Sequence, residues 1–415
     1  MEKNHLSVRQ TLDRLEFVWR VLLVAAVLVC MITNLSQADP QSFQGANQSN
    51  MGANETNSDS KIESNFNSVL KRIWSRTSVV PLLLYSPETS IMVGAGTLTL
   101  SEIEEGSEER PSSVSLFGIY TLENQSVLIA AYELRGQNDN HVFQQILRHV
   151  DWPDQFYGIG NSTQKGISIQ DRSGDTRNYI KLKDAYFQIE TEYLHRLVGR
   201  IYVGGAHHFR FSQTPNIEPA AGNYGFLSTR GVGTAVWSGL SPILLFDDRD
   251  RIVWPTTGHF VRYDGFIYDD LWGSDYEFQV HRFDARLYRS PFSGQTLALR
   301  SVLQRAIGEV PFQRLPSLGG PDLFRGWYIG RLRDRALQCN QLEYRIELSR
   351  RFATVGFLEL GRVAPSVSAL KLSGYRVAGG AGFRYALDQE QRANLRLDVA
   401  YGAQLEFYFQ FKEAF

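Results

Sequence analysis

The chain has 415 residues with 43 Lys and Arg against 44 Asp and Glu, and such near-neutrality supplies no basic field for a nucleic-acid partner. Hydrophobic residues make up 43% and aromatics 12%, yet the mean hydropathy is -0.25. That combination excludes a helical membrane bundle but not a barrel, in which only every second strand residue faces lipid.

The first element is a continuous apolar run, Val-Leu-Leu-Val-Ala-Ala-Val-Leu-Val-Cys-Met-Ile-Thr over 21–33, preceded by Arg9, Arg14 and Arg20 and followed by Ser36-Gln37-Ala38. It predicts a secretory signal over 1–38 with cleavage after Ala38. The run is shorter than the roughly 20 residues a spanning helix needs, which leaves an uncleaved anchor as the alternative. Val29 is too bulky to precede a lipidated cysteine, so Cys30 does not mark a lipoprotein. Cleavage leaves Cys339 alone. One cysteine forms no intramolecular disulfide, so stability has to come from elsewhere, and a closed hydrogen-bond ladder provides it.

Residues 39–78 read as a flexible periplasmic segment. Asn47-Gln48-Ser49-Asn50 and Asn54-Glu55-Thr56-Asn57-Ser58 are typical of a stretch too polar to offset its ordering entropy. Val69, Leu70, Ile73 and Trp74 fall at helical spacing and suggest a short amphipathic turn, either rimming a pore or simply leading into the fold.

From Val79 to Phe415 period-2 segments recur between Gly, Pro, Asn and Asp clusters, as a membrane barrel requires. The expected strands are 88–100, 112–122, 126–136, 140–150, 165–171, 180–194, 197–212, 229–247, 258–269, 276–289, 295–307, 336–349, 353–363, 375–387, 393–402 and 404–412. Leu342, Tyr344, Ile346 and Leu348 alternate with Gln341, Glu343, Arg345 and Glu347; Leu395, Leu397, Val399 and Tyr401 alternate with Asn394, Arg396 and Asp398. A soluble sandwich alternates too, but here the polar face is unusually charged and no helix-period segment could cover a sheet. Near His281-Arg282 the phase slips, which a bulge would correct. The expectation is an all-β, transmembrane antiparallel barrel of sixteen strands in the outer membrane of a Gram-negative bacterium, in contact with its lipid.

Between the eleventh and twelfth segments lies Leu-Gly-Gly-Pro-Asp-Leu-Phe-Arg-Gly-Trp-Tyr-Ile-Gly-Arg-Leu-Arg-Asp, 318–334, a Gly-rich loop that carries Arg325 and Gly326. This loop, Asp247-Asp248-Arg249-Asp250 with Pro255-Thr256-Thr257-Gly258, Tyr85-Ser86-Pro87-Glu88-Thr89, Phe156-Tyr157-Gly158-Ile159-Gly160-Asn161, Phe357-Leu358-Glu359-Leu360-Gly361 and an aromatic last strand occur in an order that resembles the bacterial surface antigen family, which includes BamA, TamA and the two-partner-secretion transporters. The resemblance covers about 79–415.

It implies that the loop folds into the lumen and that Arg325 pairs with acidic side chains on the next two strands, Glu343 and Glu359, the latter in place of the usual Asp. A guanidinium in a partly desolvated lumen needs carboxylates in any case. The pair serves either to stiffen a wide barrel or to take a direct part in insertion or transport. The resemblance further implies a seam between the first strand, 88–100, and the last. Gly94 and Gly96 would weaken packing at that seam or ease curvature. Leu405, Phe407, Phe409, Phe411 and, in phase with them, Phe415 would face outward, as lipid anchors and as the signal read by the outer-membrane insertion machinery. Family members carry periplasmic polypeptide-transport-associated domains, for which 39–78 has no room, so the chain looks like a short branch without them. The implied function is assistance in assembly or export of outer-membrane or secreted proteins, with unfolded protein clients as partners; a passive pore and a lipid-handling barrel are the alternatives.

No cofactor, metal or catalytic site is expected. Gly379-Gly380-Ala381-Gly382 lacks the strand-to-helix setting of a phosphate loop. The adjacent His207 and His208 point to opposite strand faces. No Ser, His and Asp arrangement has motif support, and Glu102 to Glu109 reads as a solvated acidic turn.

Overall fold

The computed structural model describes residues 77–86, 90–100, 112–122, 124–136, 139–161, 169–170, 176–177, 179–214, 231–387, 392, 394–410 and 413–415. The expected leader, the polar segment up to Arg76, the acidic turn at 102–109 and Phe411 lie outside them. Sixteen long strands form one antiparallel sheet in chain order. They are β1 Thr77–Ser86, β2 Ser90–Leu100, β3 Ser113–Thr121, β4 Ser126–Arg135, β5 His141–Phe156, β6 Ile180–Val198, β7 Ile201–Thr214 and β8 Gly233–Asp247, then β9 Gly258–Tyr268, β10 Phe278–Phe292, β11 Gln295–Gly308, β12 Ala336–Glu347, β13 Phe352–Ala364, β14 Arg376–Ala386, β15 Asn394–Tyr401 and β16 Leu405–Gln410. β1 and β16 are the two ends of this order, and no ladder joins them among the described residues.

The alternation runs opposite to that of a soluble sandwich. Leu342, Leu358, Leu360, Leu397 and Val399 are exposed on the outer face, whereas their neighbours Glu343, Arg345, Glu359, Arg396 and Asp398 are buried. Burying charge and exposing leucine is costly in water and favourable in a bilayer around a polar lumen. No described helix is long and apolar enough to cross a membrane.

The strand count agrees with the sequence reading through two compensating differences. Of residues 165–171 only Ile169–Gln170 are described, paired in a small ribbon with Thr176–Arg177, and among the described residues they are not part of the wall. The wall instead gains β1, which the sequence hides because Pro81-Leu82-Leu83-Leu84 does not alternate. The segment expected at the edge is therefore second in order, paired with β1 on one side and β3 on the other. The slip at His281-Arg282 is no bulge, since β10 keeps register against β11 from Phe278 to Arg289 and shifts only between Arg289 and Phe292. The irregular pattern has another cause: Phe278 is an inward apolar residue in a cluster with Trp237, Tyr268 and Leu315, and Val280 packs against it.

Candidate functional site: a buried ionic lock in the lumen

The loop between β11 and β12 turns into the lumen. Its root is a two-residue ribbon, Ser317–Leu318 against Leu332–Arg333. Its tip needs left-handed backbone at Gly319 (φ 118°), Gly320 (φ 98°) and Gly326 (φ 83°), and also at Phe324 (φ 73°). For a non-glycine residue that conformation costs on the order of 1–2 kcal/mol. The Phe324 ring offsets it by lying fully buried among Leu318, Leu332, Leu337, Val363 and Ala378, stacked on Trp327 with centroids 5.6 Å apart.

The neighbouring residue, Arg325, then points at β12, β13 and β15. Its Nη2 donates to Glu343 Oε1 at 2.8 Å, its Nε to Glu359 Oε1 at 2.6 Å and its Nη1 to Asp398 Oδ2 at 2.9 Å, while its backbone N–H donates to Glu359 Oε2 at 2.8 Å. The guanidinium carbon lies 3.5 Å from the centre of the Phe357 ring. Arg325, Glu343 and Glu359 are each 0% exposed. Burial by itself works against the Arg325 charge, and the carboxylates of Glu359, Glu343 and Asp398 more than reverse this, raising its pKa. The expected partners Glu343 and Glu359 are thus brought together with Arg325, and Asp398 is a third that the sequence reading placed on the polar face without assigning to the loop.

The motif Phe357-Leu358-Glu359-Leu360-Gly361 acquires a physical meaning through its inward residues. Phe357 lies under the guanidinium, Glu359 chelates it, and Gly361 leaves room for the loop: a Cβ there would stand 2.8 Å from Leu318 Cδ1 and from Phe324. Gly326 is similarly constrained, since a Cβ would meet Gly402 N at 2.7 Å. That closeness lets the Gly326 carbonyl accept from Ala403 N at 2.9 Å and its N–H donate to Tyr408 Oη at 3.0 Å. The loop tip therefore grips the β15–β16 hairpin.

Charges around the lock balance. Arg345 pairs with Glu343, Arg384 with both Asp398 and Glu413, and Arg396 with Asp398. With Arg325 and Glu359 this makes four buried cations and four buried anions in one connected set, as buried charge requires, and Arg396 also lies 3.9 Å from the exposed Asp322.

Two other motifs reach this region, the first touching the loop and the second touching Arg345 of the lock. In the loop between β5 and β6, Gly160 N donates to Arg333 O at 2.7 Å, Phe156 meets Phe312 edge-on at 5.2 Å, and Asn161 Nδ2 donates to Gly374 O at 2.7 Å. In the β8–β9 connection Arg249 chelates Asp247 at 2.8 and 3.0 Å and Asp250 Oδ1 accepts from Thr256 N at 2.8 Å. That turn carries Trp254, 0% exposed, within 4.9 Å of the Arg345 guanidinium carbon.

The expected seam residues are placed differently. Gly94 and Gly96 lie in β2, inside the sheet; a Cβ on Gly94 would collide with the Gly118 carbonyl, so that glycine permits close approach of β3. Leu405 and Phe407 are exposed and Phe409 shares their phase on β16. Phe415 does not continue outward. The described strand runs to Gln410, and Phe415 is buried 6.4 Å from the Tyr288 ring, its carbonyl accepting from Arg345 Nη2 at 2.9 Å. Ala414 O likewise accepts from Arg300 Nη1 at 3.1 Å. Buried guanidiniums with donors to spare draw the segment inward, and strand periodicity no longer applies beyond the last ladder bond. The lumen beside β6, β7, β9 and β10 keeps a cavity of about 420 Å³ lined by Glu190, Glu192, Arg262, Asp264, Arg282 and Gln304, among others.

Comparison with known proteins agrees with this architecture. Residues 161–413 match the Omp85 superfamily domain. Among solved structures, BamA from Haemophilus ducreyi lacking POTRA domains 1–3 superposes with a TM-score of 0.51 at 14% identity, over 80% of this chain and 69% of that one. CdiB from Escherichia coli gives a TM-score of 0.52 at 8% identity, over 81% of this chain and 60% of that one. No curated protein sequence matches the chain. With a matched domain covering most of the described barrel and the lumenal lock in place, the chain belongs to the Omp85 superfamily of outer-membrane β-barrels.

Proposed function

We propose that the protein handles protein clients at the outer membrane, assisting the assembly of outer-membrane proteins or the export of secreted ones, with β1 and β16 as the edges a client strand meets. One observation carries this reading: the loop that holds the ionic lock also grips β16, through Gly326 and Tyr408. An end strand with free N–H and C=O groups is a template for another strand. The described part of β16 is Leu405–Gln410, and the lock supplies a rigid support beside it. The likeness of fold to BamA and CdiB supports the reading as analogy. On the same reading Leu405, Phe407 and Phe409 anchor the strand in lipid and mark it for the cell's insertion machinery.

Depletion of the protein, followed by quantitative surface proteomics, tests the proposal. A defined set of outer-membrane or secreted proteins should fall in abundance. An unchanged surface proteome, together with stable single-channel conductance of the purified barrel through the cavity near Arg262, would replace it by a passive pore.

A further inference from the structure

Two histidines outside the lock face each other on the outer surface of the wall. His141 opens β5 and His195 lies near the end of β6, directly opposite in register. Both are exposed. They sit at the end of the sheet away from the Arg325 loop, with His195 four positions before the tight turn at Gly199–Arg200. The backbone bond from Arg196 N to Asn140 O marks the adjacent pair as the hydrogen-bonded one. His141 and His195 are therefore a non-hydrogen-bonded pair, the class whose side chains approach most closely.

Their Nδ1 atoms stand 3.3 Å apart and the rings are 4.8 Å centre to centre. Tyr193, next on the outward face of β6, brings its hydroxyl to 2.6 Å from the same His141 Nδ1. A neutral imidazole has one acceptor nitrogen with a single in-plane lone pair. Without a cation, His195 and Tyr193 compete for His141 Nδ1, so the three groups cannot all be well bonded. A metal ion resolves that conflict by taking a lone pair from each histidine, and the Tyr193 hydroxyl, 2.6 Å from His141 Nδ1, joins them by drawing back about 0.7 Å to the separation of two ligands on one tetrahedral ion. Two nitrogens bound at about 2.0–2.1 Å to a tetrahedral zinc stand about 3.3–3.4 Å apart, which is the separation observed.

We propose that His141 and His195, with Tyr193 as a third donor, form a binding site for a borderline divalent transition metal, zinc or copper, that ties β5 to β6 near the Gly199–Arg200 turn. Imidazole nitrogen selects these ions over magnesium or calcium, which take oxygen ligands. No third His, Cys, Asp or Glu joins the pair among the described residues, so water completes the coordination and the site is open.

The test uses the full chain in detergent micelles, stripped with chelator and titrated calorimetrically with zinc chloride, each variant first passing a heat-shift gel check of folding. One saturable equivalent per chain is expected. His141→Ala and His195→Ala should each weaken it by about tenfold or more, a loss as large as that caused by removing even a supporting residue at a metal site. Tyr193→Phe should weaken it less, and His207→Ala, on the outer face but outside the cluster, should leave it unchanged. Zinc binding that is equal in wild type and both histidine variants, or the absence of a one-equivalent site, overturns the proposal. Should either variant fail to fold, electron paramagnetic resonance of wild type with copper chloride decides: hyperfine splitting from two imidazole nitrogens supports the site, and one or none refutes it.

Discussion

Replacing Arg325 by alanine isolates the energetic centre of the barrel. Glu343 keeps Arg345, and Asp398 keeps Arg384 and Arg396. Glu359 loses the cation that chelates it and retains the Gln341 amide, which donates to Oε1 at 3.1 Å. The set of four cations and four anions becomes one cation short, and the excess charge falls on a carboxylate with 0% exposure. Breaking a buried pair in this way costs about 3–5 kcal/mol, roughly a hundred- to several-thousand-fold in the unfolding equilibrium. If the loss comes from Glu359, then adding Glu359→Gln to Arg325→Ala should recover a large part of it, because the neutral amide needs no cation. Urea unfolding of the barrel reconstituted in lipid vesicles, followed by tryptophan fluorescence, gives the midpoint and slope for wild type, both single variants and the double. A double variant no more stable than Arg325→Ala, or an Arg325→Ala that unfolds like wild type, would show that Glu359 is not the source of the loss.

Gly361→Ala should unseat Phe324 and cost about 1–3 kcal/mol by overpacking, and should expose the 318–334 loop to limited proteolysis; a loop still resistant to cleavage would mean that Phe324 does not need that space. Phe415→Ala should lower the urea midpoint toward the lower end of the roughly 3–5 kcal/mol typical of buried phenylalanines, since the main-chain bond to Arg345 survives. A ring lying in lipid would instead give a change within about 0.5 kcal/mol. Cys339, buried on β12, should resist maleimide in a Cys30→Ser background until urea opens the barrel; labelling at the rate of a free thiol would contradict its burial.

Much of the wall was legible because lipid outside and charge inside impose a strict period of two. β12 and β15 read directly from Leu342 to Leu348 and from Leu395 to Tyr401. The lock was legible in part. Phase places Glu343, Glu359 and Asp398 on the inner face alike, but phase reports the face and not the depth, and depth is set by the stagger between strands. Family pattern singled out the first two; only the fold shows that Asp398 lies level with them. The wall strand at 77–86 was hidden by its unbroken apolar run, and the two described residues of 165–171, Ile169 and Gln170, pair in a small ribbon outside the wall. The orientation of Phe415 was unreadable for a different reason. It depends on Arg300 and Arg345, more than sixty residues earlier in the chain, whose donors reach the last two carbonyls.

Through Gly326 the Arg325 loop holds the last hairpin in place. Hydrogen exchange by mass spectrometry, on wild type and Arg325→Ala in the same detergent, tests it most directly. The lock contacts β12, β13, β15 and β16, so protection should fall over 336–364 and 394–410 while 180–268 keeps its wild-type pattern. A uniform loss of protection over all sixteen strands, or no loss at 394–410, would contradict it.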